Sequence, residues 1–177
     1  RYKKTPSIVY YGVNYDFFSK GNANKAIKKW GLKKRFIVAQ SGMLTESKNQ
    51  LESIKTINKV KNKIPNILLV LAGKADENYK KEILDYIRKN KLDKHILLTD
   101  NLNREDLRDL YKACDLGLFP VGGQGGWLAP FELLCAGNPI VVSEDLGAAS
   151  IIKKFNLGIV TKDYDDALLE IYNNKSK

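Results

Sequence analysis

A chain of 177 residues, 44% hydrophobic and 28% charged, has the composition of a soluble globular protein and the length of one ordinary domain, which should bury roughly 70% of its unfolded surface. Thirty Lys and Arg against 20 Asp and Glu give a net charge of +10, but the lysines are spread along amphipathic segments such as "KTINKVKNK" and are not interleaved with aromatics, so no nucleic-acid partner is inferred. No window approaches the ~18 apolar residues of a membrane span, and one histidine with two cysteines lacking CxxC spacing argues against a His/Cys metal site and a histidine-based nucleophilic triad.

The first residues, "RYKKTPSIVYYGV", carry no initiating Met and no secretory-signal pattern, so the chain reads as a piece of a longer cytoplasmic protein. "SKGNANKAIKKWGLKK" (19–34) reads as a short helix. From there, apolar runs of strand length alternate with helix-period segments. "RFIVAQ" (35–40), "ILLVLAG" (67–73), "ILLT" (96–99), "LGLFP" (116–120), "PIVVS" (139–143) and "GIV" (158–160) are continuous and β-branched, as strands covered on both faces should be. Thr45 ahead of "ESKNQLESIKTI" and Asn103 ahead of "REDLRDL" are the expected helix N-caps. Ile83, Tyr86 and Ile87 mark one apolar helical stripe, and Leu107, Leu110, Tyr111 and Cys114 mark the next. The tail "NNKSK" (173–177) is expected to fray. Strands alternating with helices of 10–16 residues make βαβ units, so the expected fold class is α/β: a doubly wound, Rossmann-like parallel sheet of about six strands, in one domain spanning 1–177. Ligands of such sheets bind at the carboxyl ends of the strands, which directs attention to "SGMLTESKN", "TDNLNRED" and "VGGQGGWLAPFE".

The third of these loops has glycines at 122, 123, 125 and 126, then Trp127 and Pro130. Bare backbone ahead of a helix suits an anion, because amide N–H groups can approach it without side chains in the way. Pro130 fits a first helical turn, so a helix is expected from about 130 to 136. Neither GxGxxG nor GxxxxGK[ST] occurs, which weakens dehydrogenase and P-loop readings. Glu132 has two readings: a first-turn acid on the helix dipole, or a carboxylate accepting bonds from the vicinal hydroxyls of a ribose.

The run "QGGWLAPFELLCAGNPIVVSEDLG" resembles the signature of the retaining glycosyltransferases of group 1, or family 4, in which two acids seven residues apart frame a Gly-containing loop before a small-residue helix and an apolar strand. The likeness runs along nearly the whole chain: "YYGVNYDFF", "SGMLTESKNQ", "LLVLAGKADENYKKEI" and "ILLTDNLNREDLRDLYKACDLGLFP" follow in the family's order. The resemblance implies the C-terminal half of a two-Rossmann-domain (GT-B) enzyme that transfers a hexose from a nucleotide-diphosphate sugar to a glycan or lipid-linked acceptor. The acceptor would bind an N-terminal domain absent from this chain, and the isolated domain would be inactive. It further implies polysaccharide biosynthesis, a location in the cytoplasm or at the cytoplasmic membrane face, and no cofactor or metal.

Carried over by position, Glu132 would hold the ribose, the amides around Gly125, Gly126, Trp127 and Leu128 the diphosphate, and Lys48 a phosphate. Asn101 and Leu102 would border the base. Two positions depart from the pattern: Met43 follows Gly42 where the family has Arg, and Gln124 stands where it has the first acid, near the transferred sugar. Gln124 and Lys48 are accordingly the candidate catalytic residues. Two alternatives stand beside the transferase: half of a sugar-nucleotide epimerase, and a noncatalytic nucleotide-sugar-binding regulatory module, which Met43 and Gln124 favour.

Overall fold

The computed structural model describes residues 12–122 and 127–175. A one-turn helix, α1 (Tyr15–Phe18), and α2 (Ala23–Trp30) precede β1 (Phe36–Ser41). A 3-10 turn (Glu46–Lys48), α3 (Gln50–Val60), β2 (Ile67–Ala72), α4 (Glu77–Lys89), β3 (Ile96–Thr99), α5 (Arg104–Ala113) and β4 (Leu116–Phe119) follow. The chain then forms α6 (Ala129–Cys135), β5 (Ile140–Val142), α7 (Ala149–Lys154), β6 (Ile159–Val160) and α8 (Tyr164–Lys175). The six strands form one sheet in the order β3-β2-β1-β4-β5-β6, with every paired register parallel.

Side-chain alternation divides the apolar residues between two cores. Phe36, Val38, Ile67, Leu69, Leu71, Leu116, Leu118 and Val141 point to the face covered by α3, α4 and α8, where Ile54, Ile57, Ile83 and Leu168 meet them. Ile37, Ala39, Leu68, Val70, Phe119, Ile140 and Val142 point to the other face, against Phe18, Leu110, Tyr111, Leu133 and Ile152. All residues of β1 and β2 are buried, so neither strand could be polar on one side. This is why the runs read as continuous hydrophobic strings.

Helix starts follow local chemistry in some places only. The Asn103 side chain accepts from the Asp106 amide at 2.8 Å, as its sequence position predicts, and Asn22 does the same for Lys25 at 3.3 Å. Thr45 does not cap the following helix: no amide bonds its side chain, and its hydroxyl pairs with the Ser47 hydroxyl at 3.1 Å. The chain makes a 3-10 turn first, passes through Asn49 in the left-handed region (φ 52°), and enters α3 only at Gln50. The segment from 173, expected to fray, is helical as far as Lys175.

Candidate functional site

β1 and β4 are neighbours at the point where the strand order reverses, so the loops leaving them part to opposite sides and open a crevice. A cavity of about 550 Å³ lies there, lined by Ser41, Gly42 and Met43 after β1, Gly73 and Lys74 after β2, and Asn101 and Leu102 after β3. Trp127, Leu128, Ala129 and Glu132 close its far side.

Backbone packing builds the near wall. The Gly42 amide donates to the Ala72 carbonyl at 2.9 Å, Leu44 donates to Lys74 at 2.9 Å, and Asp76 returns a bond to Leu44 at 3.0 Å, extending the β1–β2 ladder past the strands. Gly73, at φ +154°, has no room for a side chain: a Cβ there would lie 2.1 Å from the Gly42 carbonyl oxygen. Gly42, at φ +133°, would bring a Cβ to 3.2 Å from the Trp127 ring. Both glycines therefore meet a steric and a backbone requirement together.

Buried amides hold the 3-10 turn in place. Gln40, on β1, donates from Nε2 to the Lys48 carbonyl at 2.8 Å and accepts from the Ser53 hydroxyl at 2.6 Å. Asn49 donates to the Pro120 carbonyl at 2.9 Å, tying the loop after β1 to the start of the loop after β4, and Gln50 donates to Met43 at 3.1 Å. Buried Gln40 thus fixes the Lys48 backbone. Its ammonium lies 4.2 Å from the centroid of the Trp127 indole, which in turn meets Phe119 edge-on at 4.9 Å. Burial pushes the Lys48 pKa down.

Glu132 sits in the first turn of α6, which starts at Ala129 with Pro130 beside it, and its own amide bonds the Leu128 carbonyl at 2.9 Å. Burial raises its pKa, while the Tyr111 hydroxyl, donating to Oε2 at 3.4 Å, and the Arg104 charge oppose the rise. Tyr111 is fully buried and its hydroxyl also hydrogen-bonds Ser41 Oγ. Among the described residues the cavity is lined by one carboxylate, one cation (Lys74), an indole wall and glycine backbone, a set suited to a ligand with hydroxyls, an anion and a flat ring.

Of the residues singled out from sequence, Gly42, Met43, Asn101, Leu102, Trp127, Leu128 and Glu132 line this one cavity. Lys48 is not among the lining side chains but stacks on one that is. Gln124, Gly125 and Gly126 lie outside the described residues. Lys74 and Tyr111 were not singled out as site residues. Lys74 follows the strand "ILLVLAG", where a general rule about strand ends could have marked it, whereas Tyr111 read only as part of a helix stripe. Among the described residues, no three His, Cys, Asp or Glu side chains converge as a metal cluster, and no helix is long and apolar enough to cross a membrane.

The sequence pattern of the family described as "Glycosyl transferases group 1" matches residues 22–173. The Bacillus subtilis protein YtcC, whose name gives it as a presumptive glycosyltransferase, is 24% identical over 89% of this chain and 42% of its own length. Anabaena HepE, solved in complex with UDP-glucose, superposes with a TM-score of 0.83 at 20% identity, over 94% of this chain and 47% of HepE. The C-terminal domain of the group 1 family protein LpcC from Francisella tularensis superposes at 0.77 and 20% identity, over 93% of this chain and 90% of that domain. The chain thus spans about half the length of YtcC and HepE and nearly all of an isolated C-terminal domain. At these identities the structural likeness is one of fold, that of GT-B glycosyltransferases.

Proposed function

Because the chain belongs to the group 1 glycosyl transferases, we propose that it is the donor-binding half of an enzyme that moves a hexose from a nucleotide-diphosphate sugar to a glycan or lipid-linked acceptor with retention of configuration. The observation that carries this reading is the cavity at the switch point, which Glu132, the Trp127 indole and the backbone of Gly42 and Gly73 line together. In this reading Glu132 accepts the ribose hydroxyls, the amides of Trp127 and Leu128 with those of Gly125 and Gly126 take the diphosphate, and Asn101 and Leu102 border the base. Lys74 and Lys48 supply positive charge as the diphosphate departs, and Gln124 lies near the sugar. The reading invokes no resident metal. The crystallised complexes of HepE with UDP and UDP-glucose support a uridine nucleotide as the first donor to try. Acceptor binding belongs to an N-terminal domain in the whole protein, which would act in polysaccharide biosynthesis in the cytoplasm or at the cytoplasmic membrane face.

Met43 favours a second reading. It is 56% exposed and lines the cavity with an uncharged side chain beside Gly42, so a noncatalytic nucleotide-sugar-binding module is also consistent with the site. Calorimetry of residues 1–177 with UDP, GDP and ADP, joined to a turnover assay on the same chain and on the whole protein, separates the readings. The expected result is binding of one nucleoside diphosphate by the chain, with transfer only by the whole protein. Transfer by residues 1–177 alone contradicts the division into donor and acceptor halves; no transfer by the whole protein with any donor supports the noncatalytic module.

A further inference from the structure

Tyr111 is the largest fully buried side chain in the described residues, and its phenol is not simply a core group. Its ring packs at 5.8 Å from Phe18 inside the core, while its hydroxyl emerges between two residues of the cavity wall. It donates to Glu132 Oε2 at 3.4 Å and hydrogen-bonds Ser41 Oγ, and Ser41 is itself only 4% exposed at the carboxyl end of β1. With the phenol proton directed at the carboxylate, the serine must be the donor of the other bond. The chain of bonds therefore runs from Ser41 to Tyr111 to Glu132, with every proton pointing toward the acid.

We propose that Tyr111 is a positioning residue for the ribose-binding carboxylate: its hydroxyl, held by Ser41, occupies one lone pair of Glu132 Oε2 and leaves the others for the ligand. The inference rests on the ribose role of Glu132 given above. A carboxylate on the first turn of a seven-residue helix has several rotamers, and a bond accepted from a buried phenol packed in the core selects one. The same bond favours the ionised acid against the burial that disfavours it. Among the described residues, Arg104, on the same helix as Tyr111, also favours ionisation, Cys135 lies on Glu132's own helix, Lys74 lines the same cavity, and Lys112 of α5 donates to the Ala136 carbonyl at the end of α6. α1, which packs on α6, carries Tyr15 and Asp16, both exposed, and the neighbouring strands β4 and β5 carry no titratable side chain.

Tyr111→Phe keeps the packed ring and removes only the hydroxyl. Two measurements decide its role. The first is ligand-independent: the Glu132 carboxyl is titrated by carbon-13 NMR in the wild-type chain and in Tyr111→Phe. The midpoint is expected to rise in the variant, and an unchanged midpoint overturns the proposal. The second compares UDP, GDP and ADP with their 2′,3′-dideoxy counterparts in wild type, Tyr111→Phe and Glu132→Gln. Tyr111→Phe is expected to weaken the ribose nucleotide about five- to tenfold and the dideoxy nucleotide little, shrinking the preference by the same factor. If Glu132→Gln abolishes the preference and Tyr111→Phe leaves it intact, Tyr111 is only a core residue. If Glu132→Gln leaves the preference intact, or no nucleotide binds the wild type, it is the ribose reading that fails, and the carboxyl titration still decides whether Tyr111 acts on Glu132.

Discussion

Burial raises the Glu132 carboxyl above its ordinary value of 4.5, so the folded chain binds a proton there more readily than the unfolded chain does. The folded state loses stability as pH rises from that ordinary value through the raised one, and the deficit persists at neutral pH. An acid kept at such a cost in a cavity wall is the pattern expected of a ligand-binding group. Glu132→Gln should therefore match or exceed the wild type in thermal stability at pH 7, while nucleoside diphosphate affinity falls about tenfold or more. A variant that melts earlier yet binds normally would return Glu132 to the role of a helix-start acid. The lysines make a second test at this scale. Lys74→Ala and Lys48→Ala should each weaken a nucleoside diphosphate by roughly three- to tenfold and the bare nucleoside hardly at all, because an ammonium acts on the anion and not on the base. Equal losses for both ligands in calorimetry would contradict this. Glu132 was legible from its place after the glycine loop. Lys74 and Tyr111 were not, because their significance arises from contacts with Leu44 and with Ser41 and Glu132 respectively, which sequence spacing alone does not bring together.

Among the elements, the six strands were readable almost to the residue: β1, β2, β4 and β5 are buried along their whole length and so form apolar strings, and the edge strands β3 and β6, although partly exposed, keep the same apolar run between polar or glycine ends. The helix starts were readable at Asn103, whose side chain caps α5, and at Pro130, within a residue of the start of α6, which no side chain caps. Asn103 caps α5 and thereby sets the loop that carries Asn101 and Leu102; Thr45 makes no such bond, because Asn49 turns left-handed and the side-chain amides of buried Gln40 and Gln50 and of half-buried Asn49 fix the 3-10 turn instead. The contrast is measurable in urea denaturation. Asn103→Ala should cost about 0.5–2 kcal/mol, whereas Thr45→Ala should stay within about 0.5 kcal/mol. Equal destabilisation by the two substitutions would mean that Thr45 caps α3 after all. The one-turn helix Tyr15–Phe18 escaped the sequence reading because four residues are too few to show a period, and it is fixed by the Asn14 side chain accepting from the Phe17 amide at 3.0 Å.

For the whole molecule, alternation of strands and helices identifies a doubly wound sheet, but the order in which the strands lie is a tertiary property. The chain builds outward from β1 to β3, then returns to place β4 on the other side of β1. That return makes the crevice, and it gathers residues from four separate loops around one cavity. Membership of the group 1 glycosyl transferases, shown by the match over residues 22–173, fits the same place for a nucleotide-sugar donor. In the proposed function this crevice is the nucleotide site. Its most direct test is a nitrogen-15 amide NMR titration of residues 1–177 with UDP, GDP and ADP in turn. The ligand that binds should shift the amides of Gly42, Met43, Gly73, Lys74, Asn101, Trp127, Leu128 and Glu132 and leave those around α3, α4 and α8 in place. Shifts confined to another surface, or none with any of the three nucleotides, would contradict it.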